Sequence, residues 1–179
     1  MPQAAVLAAI QTVGGKQALD KRIPMTATTE SADYRILTVE RQLTAVIPAS
    51  VRMEKMPETQ RSLRFKLAAV LPALGARPVG PTFTLWHPPV DGVFDMEPGV
   101  IVSRSFAPEG DVVASALPAG RAAYFQFVGP YDGLPRAWAA LLAWCAAQKL
   151  KLAGVNWKIY RDGDDDAFQP ETSLYALLA

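Results

Sequence analysis

The chain has 179 residues, half of them hydrophobic and one in five charged, enough for one domain with a sizeable core or two closely packed halves. Its 18 basic and 17 acidic residues leave a net charge of +1 with both signs interspersed, which excludes the electrostatic footprint of a nucleic-acid or anionic-membrane binder. One cysteine, Cys145, and one histidine, His87, exclude an internal disulfide and make a poor zinc site, so no metal or cofactor is expected and a reducing cytoplasm is the natural compartment.

Residues 1–33 read as an N-terminal arm. Val6, Ile10 and Val13 would share one face of a short helix ended by Gly14-Gly15. No basic residue precedes this apolar run and it is too short to span a bilayer, so neither a signal peptide nor a membrane anchor is expected. Two readings stay open: an element packed on the domain or on a second subunit of a homodimer, and a partly ordered tail.

Tyr34 to Val51 carries Ile36, Leu37, Val39, Leu43, Val46 and Ile47, a long or broken strand. Pro57 opens a helix to about Leu74 with Leu63, Leu67, Val70, Leu71 and Leu74 as its apolar stripe, and Pro72 kinks or shortens its last turn. In the strand Thr82 to His87, Thr82, Thr84 and Trp86 alternate with Phe83, Leu85 and His87. Turn signals fill residues 88–95, and a strand runs from Glu97 to Ser103. A strand from Ala123 to Val128 leads through Gly129-Pro130-Tyr131-Asp132-Gly133 into a helix whose stripe is Trp138, Leu141, Leu142 and Cys145, widened by Trp144. The next strand sets Asn156, Lys158 and Tyr160 against Trp157 and Ile159. The acidic run Asp162-Gly163-Asp164-Asp165-Asp166 lacks the later bidentate Glu of a calcium loop and reads as a solvated hairpin tip. In the last strand, Glu171 to Leu178, Leu174, Ala176 and Leu178 would face the helices, leaving Glu171, Ser173 and Tyr175 on the opposite face with Glu97, Gly99 and Ile101 as their counterparts.

Those counterparts reflect an internal repeat. At one constant offset in numbering, the first half falls on the second without a gap: Leu43 meets Leu117, Leu67 Leu141, Gly80 Gly154, Phe94 Phe168 and Glu97 Glu171. Two copies are too few for a solenoid and point to two strand-helix-strand-strand modules, over 34–105 and 111–179, side by side.

The succession LTAVIPASV, a helix, GPTFTLWH, FDMEPGV, LPAGRAAYFQFVGPYDGLPRAWAALLAW and ETSLYALL resembles the gyrase-inhibitor-like (GyrI-like) family over about Tyr34 to Ala179. That resemblance implies the fold of the effector-binding domains of AraC-type and MerR-type regulators. The expected class is α+β: duplicated strand-helix-strand-strand (SHS2) modules forming a pseudo-twofold antiparallel sheet, two helices on one face and a ligand cleft on the other. The family commonly ends in Glu-Thr-Glu-(Leu/Ile)-Tyr, whose second Glu answers a lipophilic cation in multidrug-sensing members. Here that position is Ser173, with Glu171 two positions earlier on the same strand face. The segment ahead of the domain, Met1 to Asp33, is too short for a helix-turn-helix, so the chain resembles stand-alone members without direct nucleic-acid binding.

The candidate ligand-binding face comprises Trp86, Glu97, Tyr124, Gln126, Lys158, Tyr160, Glu171, Ser173 and Tyr175: aromatic walls with a few polar groups, away from the helices. Trp86 and Tyr160 would be opposed walls of a slot. If Glu171 or Glu97 closes one end, a cationic or electrophilic ligand is favoured; if Lys158 points inward, an anionic or carbonyl-bearing one is. Alternatively, Lys158 pairs with one of the two acids, and each aromatic is ordinary core. His87, expected on the helix face, reads as a strand-end hydrogen bonder. No G-x-S-x-G, P-loop or G-x-G-x-x-G pattern is present, so no catalytic residue is assigned. The leading function is binding of lipophilic or aromatic small molecules by a sensor or sequestering protein. The alternative is a hydrolase of small electrophiles using Glu97 or Glu171, as the resemblance allows, and the third is a protein-interaction role such as gyrase inhibition.

Overall fold

The computed structural model describes residues 33–161 and 170–179; the N-terminal arm and the acidic 162–166 tip lie outside the described residues. The chain forms β1 (Arg35–Val39), β2 (Gln42–Val46), β3 (Ala49–Arg52), α1 (Met56–Val70), β4 (Pro78–Trp86), β5 (Val93–Val102), β6 (Val113–Leu117), β7 (Gly120–Val128), α2 (Leu134–Ala147), β8 (Leu152–Arg161) and β9 (Glu171–Leu178). The class is α+β, as expected. Proline starts both helices, where its missing N–H costs nothing. Pro72 ends α1 as anticipated: the α-helix stops at Val70 and Leu71–Leu74 continue as a 3-10 turn. No helix among the described residues is long and apolar enough to cross a membrane.

Among the described residues, all nine strands belong to one antiparallel sheet, in the order β1-β7-β9-β8-β4-β5-β2-β6, with β3 also on β5. Two connections decide its shape. Val39 to Gln42 joins β1 to β2, and Leu117 to Gly120 joins β6 to β7; each link spans at most about 11 Å of chain. Each also joins strands six places apart in the order, roughly 29 Å in a flat sheet at about 4.8 Å per strand. The sheet must therefore curl until its ends approach.

Both helices lie on the outside of the curl. On α2, buried Leu134, Trp138, Leu141 and Cys145 pack with Met96, Ala123, Leu174 and Ala176; on α1, Leu67 packs with Ala45, Val100 and Val102. The inside forms a second, helix-free core in which Phe83, Leu85, Trp157 and Ile159 from the central strands meet Val46, Leu117 and Ala122, with Val39 and Leu177 against them.

This double-sided burial overturns two face assignments. Trp86, Lys158 and Tyr160 lie under the helices, because the aliphatic set expected there fills the curl instead. His87 faces inward beside Glu97, not toward the helices. The repeat is also not gapless. Ile101 and Tyr175, equivalent at the offset that takes Glu97 to Glu171, pair with Thr44 and Tyr124. The first strands therefore correspond at a larger offset, and Leu43 matches Ala123 rather than Leu117. The surplus length in the first half extends its strand as β3. The strands after the helices do keep the original offset. β4 and β8 carry register irregularities at Pro78/Thr82 and at Leu152/Asn156, and Gly154 adopts φ +90° where a Cβ would meet the Pro88 ring at 2.6 Å.

Leu141 is fully buried, so Leu141→Ala should cost about 2 to 5 kcal/mol through lost transfer energy and a residual cavity, whereas Phe65→Ser on the 72% exposed outer face of α1 should stay within about 0.5 kcal/mol. Urea denaturation measures both, and an unshifted midpoint for Leu141→Ala would remove α2 from the core. Lys158 gives a pH prediction: burial lowers its ammonium from 10.5 to about 8. Between those values the unfolded chain binds more protons than the folded one, so stability rises with pH across that window, by up to roughly 3 kcal/mol. Burial raises the Cys145 thiol above its usual 9.0, which opposes the trend from about pH 9, and the phenols of Tyr160 and Tyr175 above their usual 10, which opposes it above about pH 10. The urea midpoint of the parent should climb between about pH 7.5 and about pH 9, and Lys158→Met should abolish the climb; a flat parent profile over that range would mean a solvated ammonium.

Candidate functional site

The antiparallel pair β4·β8 is the middle of the strand order, and at its centre Thr84 lies directly opposite Lys158. These two positions are equivalent in the repeat, so the approximate twofold of the sheet passes between them. Strand alternation then sorts the nine candidates. Glu97, Tyr124, Gln126, Glu171, Ser173 and Tyr175 line the inside of the curl, while Trp86, Lys158 and Tyr160 lie on the outside.

Inside, Trp157 and Tyr175 are stacked, with ring centroids 4.9 Å apart and planes 5° from parallel; Tyr124 lies 5.1 Å from Tyr175 at 52°. Cross-strand register creates this ladder, since Tyr175 is opposite both Trp157 and Tyr124. The Tyr124 hydroxyl donates to Gln126 Oε1 at 2.8 Å, and Gln126 Nε2 donates to Glu171 Oε2 at 2.7 Å. The chain of bonds fixes the amide orientation and holds Glu171 beside the rings. Burial raises the Tyr175 phenol, with Tyr124 adding to the effect. Ser173 is buried between Glu171 and Tyr175 on the same strand face.

Glu97, the counterpart of Glu171, is tied differently. His87 Nε2 lies 3.1 Å from its Oε1, and Ser115 Oγ donates to its Oε2 at 2.8 Å. A carboxylate oxygen only accepts, so His87 carries its proton on Nε2. The Ser, Glu and His side chains do not make a nucleophile-base relay, because the carboxylate stands between the hydroxyl and the imidazole. Neither acid pairs with Lys158, which is on the other face. Sequence reasoning misses Trp157, His87 and Ser115 as site residues. The alternation displays Trp157 and His87 but assigns them to the helix side, and Ser115 belongs to β6, whose five residues VASAL are too small and few to announce a strand.

On the outside, Lys158 Nζ sits 4.8 Å from the Trp86 ring centroid and 5.9 Å from that of Trp138 on α2. Arg64 of α1 lies over Tyr160, its Cζ 4.2 Å from the centroid. Tyr131 meets Tyr160 edge-on at 6.0 Å. Arg64 and Trp138 are themselves related by the repeat, so equivalent helix positions supply a cation on one side of the twofold and a ring on the other. Trp86 and Tyr160 do stand on either side of the central pair, but as the floor beneath the helices.

A model of the GyrI-like small molecule binding domain family matches residues 32–176. Among solved structures, the EcmrR C-terminal domain is similar at 18% identity, over 83% of this chain and 98% of that one, with a TM-score of 0.70. SAV2435 bound to tetraphenylphosphonium is similar at 11% identity over 82% and 94% (TM-score 0.60), and a hydrolase from Listeria innocua at 12% over 82% and 91% (TM-score 0.52). Among curated proteins, none matches the sequence significantly. The structural likenesses speak for the fold; the match over residues 32–176 makes the chain a member of the GyrI-like small molecule binding domain family.

Proposed function

We propose that the chain binds lipophilic or aromatic small molecules, preferentially cations, at the mouth of the curled sheet, as a sensor or sequestering protein rather than an enzyme. The observation that carries this reading is the Trp157–Tyr175–Tyr124 ladder with Glu171 held at its edge. Barrel mouths lined by rings and a few fixed polar groups suit small-ligand sites, because ring area supplies affinity and a charge sets orientation. Tyr124, Gln126, Glu171 and Tyr175 are only half-buried, so a ligand reaches them at the rim while Trp157 forms the floor.

Glu171 is the better placed of the two acids to meet a cation. Among the described residues only Gln126 donates to it, whereas both oxygens of Glu97 are taken. It would fill the role of the acid that Ser173 lacks, from two positions away on the same strand face. The tetraphenylphosphonium bound to similarly folded SAV2435 supports a lipophilic cation as the class to test.

The test is calorimetric titration of the full chain with tetraphenylphosphonium and with the neutral dye N-phenyl-1-naphthylamine. Tyr175→Ala should weaken both by about tenfold, the equivalent of one lost ring stack. Glu171→Gln should weaken only the cation, also by about tenfold, since the amide keeps the shape and loses the charge. Parental affinity for both probes in both variants would move the site away from this mouth.

A further inference from the structure

We propose that the floor between the two helices, outside the curl, is a second binding site, selective for flat aromatic anions such as arenecarboxylates. It stands independently of the site at the mouth. Two cations, Lys158 and Arg64, lie there, and among the described residues neither has a carboxylate partner. Among the described residues Lys158 has ring partners and no carboxylate or hydrogen-bond acceptor. Arg64 rests on Tyr160 and donates one terminal N–H to Thr84 Oγ1 at 3.1 Å, while its buried Nε has no partner. Thr84 Oγ1 in turn donates to Gln60 Oε1 at 3.1 Å, so its lone pairs face the guanidinium and the threonine offers Lys158 nothing. A half-buried cation with donors left unpaired, as at Lys158 Nζ and Arg64 Nε, is costly.

The surroundings define the complement. Trp86, Trp138, Tyr160 and Tyr131 supply ring faces and edges, Gln60 an amide, and Lys158 and Arg64 two positive charges, one opposite Thr84 across the strands and one bonded to it. A planar ring carrying a carboxylate would lie among the aromatics with its oxygens on the cations, and a guanidinium fork suits a carboxylate geometrically. The space is now filled by the protein's own groups. Lys158 and Arg64 are the ones with long flexible stems, able to swing aside and close over a ligand. Few residues of one helix approach the other, so admitting a flat molecule between them breaks no extended helix-helix interface.

Calorimetric titration of the full chain with 2-naphthoate, its uncharged isostere 2-naphthamide, and tetraphenylphosphonium tests the proposal. The naphthoate should bind at least about tenfold tighter than the amide. Lys158→Met and Arg64→Gln should each lower naphthoate affinity by about tenfold or more without moving the phosphonium. Tyr175→Ala should do the reverse, and saturating phosphonium should leave naphthoate binding in place. Lys158→Met replaces a buried charge by an apolar side chain of similar length and should fold normally, which a retained urea transition confirms. The proposal is overturned if the parent does not bind naphthoate, if it binds the amide equally well, if both charge variants keep parental affinity, or if the phosphonium displaces naphthoate. Loss of phosphonium binding alone would refute the site at the mouth and leave this one standing.

Discussion

Two short connections, Val39 to Gln42 and Leu117 to Gly120, constrain everything else in this fold. Each ties one end of the strand order to the other with too little chain to cross an open sheet, so the sheet closes toward itself. Closure creates an inside, and the inside must be filled: hence Phe83, Leu85, Trp157 and Ile159, buried with no helix above them. It also creates a mouth, where the filling gives way to the half-buried Tyr124, Gln126, Glu171 and Tyr175. The helices are left with the outer surface, where stripes on α1 and α2 seal the remaining apolar area. Site and core are thus consequences of one topological fact.

Near-symmetry supplies the geometry and its violations supply the chemistry. Across the twofold, Thr84 faces Lys158, Arg64 on one helix answers Trp138 on the other, and Gly99 corresponds to Ser173. At Gly99 a Cβ would stand 2.8 Å from the Phe83 ring and 2.6 Å from the Ala45 carbonyl oxygen, so that half of the inside closes over bare backbone. The other half keeps Ser173 and opens onto the tyrosines. Glu97 and Glu171 occupy equivalent positions but differ in their donors, one clamped between His87 and Ser115, the other held by a single amide. Identical scaffolding with unlike neighbours yields one carboxylate with both oxygens bonded and one held by a single amide.

Much of this was legible in the sequence because helices and strands carry different periods. The stripes ending in Leu74 and Cys145, the effect of Pro72 and the alternation in both central strands follow directly from side-chain spacing. The sign of the alternation does not. Phe83, Leu85, Trp157 and Ile159 look like the helix-facing side of an ordinary two-layer sheet, and only the curl, a long-range property, gives them somewhere else to be buried. A single parity error moves Trp86, Lys158, Tyr160 and His87 to the wrong side, while Glu171, Ser173 and Tyr175 come out right because Leu174 and Ala176 do face the helices. The larger offset between the first strands is hidden for a similar reason. Their correspondence is fixed by cross-strand pairing, and apolar residues recur often enough to align Leu43 with Leu117 as readily as with Ala123.

Net charge was the other quantity that concealed structure. A total of +1 reads as electrostatic neutrality, yet half-buried charges are sorted by face, Glu97 and Glu171 inside the sheet with Lys158 and the Arg64 of α1 outside. One layer of backbone separates them. Each group is desolvated on its own side, and the ones that lack a full set of partners are Glu171 at the mouth and Lys158 with Arg64 beneath the helices. Since a buried charge is most stabilised by a partner that reaches it directly, the two proposed sites call for ligands of opposite sign. What composition averages to zero, the fold separates into two environments on the two sides of one sheet.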